Sequence, residues 1–276
     1  MVSAIRNDNI QFADIDWRHR KIKLEYQWVG VKQSAYPVIV FLHEGLGSIS
    51  LWKDFPEAFC RRHGLTGLMF SRYGYGLSTP RPTEEQWPVS FMHEQAHEVL
   101  PAFFSQLGIT RPWLFGHSDG GSIALLYASR FSQQLSGVIV AAPHIFVEDI
   151  TIKSIRAVRD VYLTQDLRTK LGHHHGDVDS AFWGWNNIWL DPAFGAWNIE
   201  QELTTITCPI LAIQGEDDEY GSLEQIHGIA RKIPAAQITI LPQCKHSAHR
   251  DQPDMLSKAV AHFITGNSPA STVQTV

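Results

Sequence analysis

The chain has 276 residues, of which 44% are hydrophobic and 18% are charged, and its formal net charge is -5. This composition is typical of a soluble globular protein and excludes a disordered chain. A negative net charge offers no basic field that could hold nucleic acid, so nucleic-acid binding is excluded as well. The length suits one large domain, or one domain with an inserted cap, around a single core.

The cysteines and the first residues indicate the compartment. Cys60, Cys208 and Cys244 are far apart and form no CxxC pair, which favours free thiols in a reducing compartment over a disulfide scaffold. Residues 1–10 contain no apolar h-region, and no segment has the apolar length needed to cross a bilayer. We therefore expect a cytoplasmic protein that does not bind a membrane.

In chain order, residues 10–16 and 21–28 alternate apolar and polar side chains and predict an antiparallel hairpin. Short apolar runs that suit strands buried on both faces follow at 37–42, 67–71, 113–115, 138–142, 210–213 and 238–241. Helical spacing of apolar residues occurs at 51–62, 91–107, 122–131, 223–233 and 254–264. Strands that alternate with amphipathic helices predict a mostly parallel sheet with helices on both faces.

Residues 144–206 interrupt this alternation with charged, helix-like pieces and a tryptophan-rich stretch. We interpret residues 144–206 as a helical cap inserted into an α/β core that consists of residues 1–143 and 207–265. The tail 266–276 is rich in Ser, Thr, Gly and Pro, and we expect it to be flexible.

The segment GHSDG at 116–120 lies between an apolar run and a helical pattern, and it matches G-x-S-x-G. A sharp strand-to-helix turn lifts a serine oxygen above the edge of a sheet, and glycines two positions away on either side avoid clashes. The following helix directs its N-terminal amides at a forming oxyanion. The motif in this context predicts Ser118 as a nucleophile.

These features resemble the α/β-hydrolase family, over nearly the whole chain. The segment HEGLGS at 43–48 is similar to the family's H-G-x-x-G loop, with Glu44 where the family usually has glycine. The resemblance implies an α/β-hydrolase fold and an oxyanion hole formed by the backbone N–H groups of Gly45 and Asp119. We expect Glu44 to point away from the oxyanion, whose charge it would oppose, and His43 to anchor the loop through hydrogen bonds.

A second loop, SRYGYGLS at 71–78, is similar to the family's R-G-x-G-x-S loop. Tyr73 is interposed in that pattern, and Ser71 replaces the acid that usually leads it. We assign this segment a structural role.

Triad members in this family follow the order serine, acid, histidine. The family's G-x-x-D spacing in GEDDE at 215–219 selects Asp218, with Asp217 as the alternative. The segment PQCKHSAH at 242–249 resembles the family's G-H-S-x-H segment, which implies His246 as the general base. His249 would then be the first residue of the last helix or contact the catalytic residues without taking part in the reaction.

Two features of the predicted cap could bear on binding. The run HHH at 173–175 cannot direct three rings at one ion and has no acid or cysteine at ligand spacing, so we predict no metal and no cofactor. Trp183, Trp185 and Trp189 are spaced so that at least two share a helical face. They could form an apolar lid that holds a small hydrophobic substrate over Ser118, or they could only pack the cap onto the core.

The resemblance implies a serine hydrolase that cleaves an ester-type carbonyl through an acyl-enzyme. Two alternatives stay open: hydrolysis of a C–C bond beside a ketone by the same triad, and a ligand receptor with a vestigial triad. Haloalkane dehalogenases and epoxide hydrolases share the fold but use an aspartate nucleophile, and Ser118 argues against that class.

Overall fold

The structure is a computed structural model that describes residues 9–32, 34 and 36–268. Eight strands form one sheet: β1 Gln11–Trp17, β2 Arg20–Gly30, β3 Ile39–Leu42, β4 Thr66–Phe70, β5 Trp113–His117, β6 Gly137–Ala141, β7 Ile210–Gly215 and β8 Gln237–Leu241. Their order across the sheet is β1-β2-β4-β3-β5-β6-β7-β8. Strand β2 is antiparallel to both of its neighbours, and the other pairings are parallel. The mostly parallel sheet predicted from the sequence is confirmed.

Burial of the strands explains their sequence patterns. Strands β3, β5, β6 and β7 are buried along their whole length, so both of their faces are apolar. In β3, Val40 and Leu42 belong to the hydrophobic core on one side of the sheet, whereas Ile39 and Phe41 belong to the core on the other side. Strand β1 alternates exposed and buried residues, as a strand with one solvated face does.

The helices cover both faces of the sheet. They are α1 Phe55–His63, α2 Phe91–Glu94, α3 Leu100–Leu107, α4 Asp119–Phe131, α5 Asp149–Thr164, α6 Leu167–Gly172, α7 Val178–Trp189, α8 Glu200–Leu203, α9 Glu224–Lys232, α10 Ala248–Asp251 and α11 Pro253–Asn267. A π-helical turn, Gln95–Val99, separates α2 from α3 in the single helix predicted at 91–107. Pro101 lacks the N–H that an unbroken helix would use there, which accounts for the irregular turn. None of the helices in the described residues is both long and apolar enough to cross a bilayer.

The chain between β6 and β7 contains α5, α6, α7, a 3₁₀ turn Pro192–Ala196 and α8. The two ends of this segment meet, because Phe146 and Asn198 form an isolated β-bridge and the Ile199 N–H donates to the Ile145 carbonyl. At the far end of the chain, α11 continues through Asn267, past the start predicted for the flexible tail. Residues 269–276 of that tail lie outside the described residues.

Gly120, in the first turn of α4, provides a test of how closely this helix packs on the sheet. A Cβ atom at this position would collide with the carbonyl oxygen of Leu42 at the end of β3. We expect Gly120→Ala to lower the free energy of unfolding by about 1–3 kcal/mol, because a backbone atom cannot give way as a side chain can. Urea denaturation measures this change.

The matched control is Gly266→Ala in α11, where a Cβ would meet no atom within 4 Å. Alanine is the better helix former by about 1 kcal/mol, so this variant should be as stable as the wild type or more so. If Gly120→Ala were equally well tolerated, the close approach of α4 to β3 would be wrong.

Candidate active site

Ser118 forms the turn between β5 and α4, with φ 52° and ψ -121°. A residue other than glycine takes such a conformation only where the surrounding structure enforces it. The Ser118 N–H donates to the carbonyl of Ala141, at the end of β6, at 2.9 Å. The Ser118 carbonyl accepts from the amides of Gly121 and Ser122 in α4. Both backbone groups therefore hold the serine at the carboxyl edge of the sheet.

His246 and Asp218 lie in the loops that follow β8 and β7, and they are joined by a hydrogen bond. The His246 Nδ1 donates to Asp218 Oδ1 at 2.8 Å. Asp218 also accepts from the Tyr220 amide at 2.9 Å and from the Gln214 side chain at 3.1 Å. With its proton on Nδ1, His246 keeps Nε2 as a basic nitrogen.

The charge of Asp218 depends on these partners. Burial acts to raise the pKa of Asp218, but the hydrogen bond and charge of His246 and the Tyr220 amide outweigh it, so the pKa is lowered from its ordinary value. Asp217, the alternative from the sequence, is exposed, and its amide bonds to the Cys244 carbonyl. Of the two candidates, it is Asp218 that contacts His246.

Three aromatic rings surround His246 beside the serine turn. Its ring centroid lies 4.7 Å from that of Tyr220, 5.1 Å from that of His117 and 6.0 Å from that of His144. Within the described residues, the Ser118 hydroxyl forms no hydrogen bond with His246. Such contacts are often loose until substrate binds.

The loop after β3 is fixed by hydrogen bonds to its carbonyl groups. His43 Nδ1 donates to the Glu44 carbonyl at 2.7 Å and its Nε2 accepts from the Arg72 amide at 3.0 Å, so His43 anchors the loop. The Arg72 guanidinium donates to the same Glu44 carbonyl at 2.9 Å. His175 Nε2 donates to the Leu46 carbonyl at 2.9 Å. Partners outside the loop therefore occupy its carbonyl oxygens on both sides of Gly45.

The two predicted oxyanion donors come from adjacent parts of the sheet. Asp119 is the first residue of α4, where a backbone N–H has no acceptor within the helix. Gly45 follows β3, which pairs with β5, and Gly120 packs against the Leu42 carbonyl. The indole of Trp185 covers Gly45 and takes the space that a Cβ would need. Glycine at position 45 is what allows Trp185 to reach the loop.

The side chain of Asp119 links the serine turn to α7. Its Oδ1 accepts from Trp189 Nε1 at 3.1 Å, and its Oδ2 lies 3.7 Å from the Arg72 guanidinium. Burial raises the pKa of Asp119 to about 6, although Arg72 and Trp189 act to lower it. Trp189 is 1% exposed, so this contact is sealed from solvent.

The third tryptophan of α7 lies elsewhere. Trp183 is half-buried and packs against Tyr162 of α5 and against Phe182, with ring centroids 5.6 and 5.0 Å apart. The guanidinium of Arg159 lies 5.7 Å from the Trp183 ring. The tryptophans of α7 thus divide into two that contact the loops around Ser118 and one that packs within the helical segment.

Glu44 is directed at His117. Its Oε2 lies 3.7 Å from His117 Nδ1, and its side chain is 21% exposed. Burial acts to raise the pKa of Glu44, but His117, His43 and His249 hold it well below its ordinary value. The carboxylate is therefore ionised and belongs to a group of histidines.

The sequence motifs gave no role to two histidines near the site, His117 and His144, and gave His249 only a place at the start of the last helix or next to the site. His117, His144 and His249 are buried, and burial lowers the pKa of His144 and of His249 to about 3. They come at or soon after the ends of β5, β6 and β8. Because the carboxyl ends of parallel strands lie at one edge of a sheet, the positions of these histidines in the sequence could have predicted that they lie near the site.

The histidine run at 173–175 connects loops. His175 Nδ1 accepts from the Gly76 amide at 2.9 Å, which complements its bond to Leu46, and burial lowers its pKa to about 4. His174 Nδ1 bonds to Ser50 Oγ at 2.8 Å. In the part of the chain that the structure describes, no group of three His, Cys, Asp or Glu side chains could hold a metal ion.

Ser50 and His174 also line a groove of about 2170 Å³ that runs along β2. Among the described residues that line it, none is Ser118, Asp218 or His246. The groove is thus separate from the candidate triad, and Ser50 is a second serine paired with a histidine.

The loop at 71–78 is hydrogen-bonded to a carboxylate of strand β2. Ser71 Oγ donates to Glu25 Oε1, and Glu25 of β2 is 3% exposed. Ser78 Oγ donates to the Ser71 carbonyl at 2.7 Å and accepts from the Glu25 amide at 2.9 Å. Burial raises the pKa of Glu25. Glu25 thus provides the acid that the loop itself lacks at Ser71.

A family model described as the alpha/beta hydrolase family matches residues 39–259, which is more than half of the chain. The chain belongs to the alpha/beta hydrolase family. The family and the fold implied by the sequence motifs are confirmed. This hydrolase is 23% identical to the serine hydrolase BPHL of Mus musculus over 257 residues, covering 88% of this chain and 83% of that protein.

Two solved structures illustrate the range of this hydrolase's neighbours. The enol-lactonase from Burkholderia xenovorans LB400 has a TM-score of 0.71 and 20% identity, covering 92% of this chain and 100% of its own. The proline iminopeptidase of Mycobacterium smegmatis has a TM-score of 0.74 and 17% identity, covering 93% of this chain and 98% of its own. Likeness at these identities shows the fold alone.

The role of the contact between Asp218 and His246 can be tested by comparing substitutions of Asp218 and of its neighbour Asp217. We expect Asp218→Asn to lower kcat for a p-nitrophenyl ester by orders of magnitude, because an amide favours the wrong histidine tautomer; the same change in a serine protease costs about 10⁴. Asp217→Asn, which changes an exposed side chain, is the matched control and should have little effect. A larger loss in Asp217→Asn would contradict the assignment of the acid.

Proposed function

We propose that this hydrolase is a serine hydrolase that cleaves an ester-type carbonyl bond through an acyl-enzyme. Ser118 is the nucleophile, His246 the general base and Asp218 the orienting acid. The observation that carries the proposal is the partly buried hydrogen bond from His246 to Asp218 beside a serine held in a strained strand-to-helix turn.

The first half of the reaction forms the acyl-enzyme. Ser118 Oγ attacks the carbonyl carbon while His246 Nε2 takes the hydroxyl proton, and Asp218 stabilises the imidazolium. The negative oxygen of the tetrahedral intermediate accepts hydrogen bonds from the backbone N–H groups of Gly45 and Asp119. When the intermediate collapses, His246 returns the proton to the departing alcohol oxygen, and the acyl group stays on Ser118.

The second half releases the acid. A water molecule gives a proton to His246 and attacks the acyl carbon, and the same two amides receive the charge. Collapse of this intermediate breaks the bond to Ser118 Oγ, which regains its proton from His246.

We assign residues 144–206 as a cap over this site, with a small hydrophobic molecule as substrate. Trp185 lies against Gly45 and Trp189 bonds to Asp119, so two aromatic side chains of α7 reach the loops that carry the proposed oxyanion donors. Both are more than nine-tenths buried in the absence of substrate. An apolar wall here favours the acyl or alcohol group of a hydrophobic ester and limits the access of water.

The nucleophile is tested with a fluorophosphonate probe and a p-nitrophenyl ester. We expect Ser118→Ala to lose both labelling and turnover with its thermal midpoint near that of the wild type, because the change removes only a hydroxyl. Ser50→Ala is the matched control, since Ser50 is a serine that bonds to a histidine outside the candidate triad, and it should keep both. Labelling that persists in Ser118→Ala would refute the assignment, and a wild type that neither labels nor turns over would favour a receptor.

The cap is tested with two tryptophans of the same helix. We expect Trp185→Ala to raise KM for bulky esters while acetate esters change little, because it removes the side chain that covers Gly45. Trp183→Ala is the control, since its contacts lie within the helical segment, and it should lower stability without selecting among substrates. Equal effects of the two changes on all substrates would mean that α7 does not line the pocket.

A further inference from the structure

His117, the residue before Ser118, lies between two oxygen acceptors. Its Nε2 is 2.8 Å from the backbone carbonyl oxygen of His246, and its Nδ1 is 3.7 Å from Glu44 Oε2. The side chain of His117 is 1% exposed, so water does not take the place of either partner. Among the described residues, Nε2 has a hydrogen-bond partner, whereas Nδ1 has none and faces the Glu44 carboxylate.

The acceptors determine the proton count of the ring. A carbonyl oxygen can only accept a hydrogen bond, so Nε2 carries a proton. An ionised carboxylate also only accepts, and the lone pair of a bare Nδ1 would face its negative charge. At 3.7 Å the contact between Nδ1 and Glu44 Oε2 has the length of an ion pair and not of a hydrogen bond, and only the imidazolium form of the ring is attracted to the carboxylate across it.

The other charged or titratable groups near this pair leave that conclusion intact. His43 and His249 also border Glu44, but burial lowers the pKa of both, so they are neutral. Arg72 donates to the backbone carbonyl of Glu44 and not to its carboxylate. Of these rings, His117 is the one with a nitrogen within 4 Å of the carboxylate among the described residues.

We propose that Glu44 and His117 form a partly buried carboxylate–imidazolium pair that positions the main chain of His246. This inference rests on the proposed role of His246 as the general base. Asp218 fixes the ring of His246 from one side through Nδ1, and His117 fixes its backbone from the other through the carbonyl group. The replacement of the family's usual glycine by Glu44 places the counter-ion of His117 in the loop that also carries Gly45.

Kinetics of His117 variants test the positioning role. We expect His117→Leu to lower kcat for a p-nitrophenyl ester by about 10–100-fold, the range found for groups that orient the ligands of catalytic metals, with KM little changed. His117→Gln can place an amide N–H near the position of Nε2 and should recover most of that loss. His262→Leu, at an exposed position in α11, is the control.

Rates are expressed per active site by titration with the fluorophosphonate probe. If His117 only supported the fold, both His117 variants would lose stability while kcat per titrated site stayed at the wild-type value. That result, or a glutamine variant no better than the leucine variant, would overturn the positioning role. A wild type that the probe does not label would instead overturn the proposed function.

The charge of the pair is tested on the resting protein, so the measurement does not depend on turnover. Histidine-selective ¹⁵N labelling, with the His117 signals assigned from their absence in His117→Gln, should show both ring nitrogens protonated at neutral pH. In Glu44→Gln one of the two should lose its proton, because the counter-ion is gone. A bare Nδ1 in the wild type would overturn the ion pair.

Discussion

The contact between the first turn of α4 and the end of β3 is the constraint on which the whole site depends. Gly120 lies directly against the Leu42 carbonyl, and Gly116 is paired with Leu42 across β3 and β5. This contact sets the spacing between the amide of Asp119 and the loop that follows β3. A side chain at either glycine would separate the two and disturb the proposed oxyanion hole while leaving the sheet intact.

Burial around this contact separates the histidines into two electrostatic classes. Where a ring nitrogen accepts from a backbone amide, as in His43 and His175, burial keeps the ring neutral. Where a ring faces a carboxylate, as His246 faces Asp218, the charged form can be stabilised. In a region of low dielectric constant, a change of hydrogen-bond partner has a large effect on whether a ring is neutral or charged. The backbone partner of each ring thus matters as much as its burial.

Motifs predicted the parts of the site that depend on local backbone geometry. The glycine spacing around Ser118 and the order of triad members led to Asp218 and His246, which the structure places in contact. Contacts between distant segments left no local signal: the fit of Trp185 over Gly45 joins residues 140 positions apart. Helical periodicity could not separate Trp185 from Trp183, because spacing defines a face but not what lies against it.

The bond between Ser71 and Glu25 has a consequence for the history of such chains. One carboxylate serves the loop at 71–78, and it comes from β2 and not from position 71. Acids at both positions would bury two like charges against each other, while a chain with neither would leave the Ser71 hydroxyl without the acceptor that it has in Glu25. Positions 25 and 71 should therefore covary among relatives as a compensated pair. An ancestor could have passed between the two arrangements most easily through an intermediate with both acids, one of them protonated.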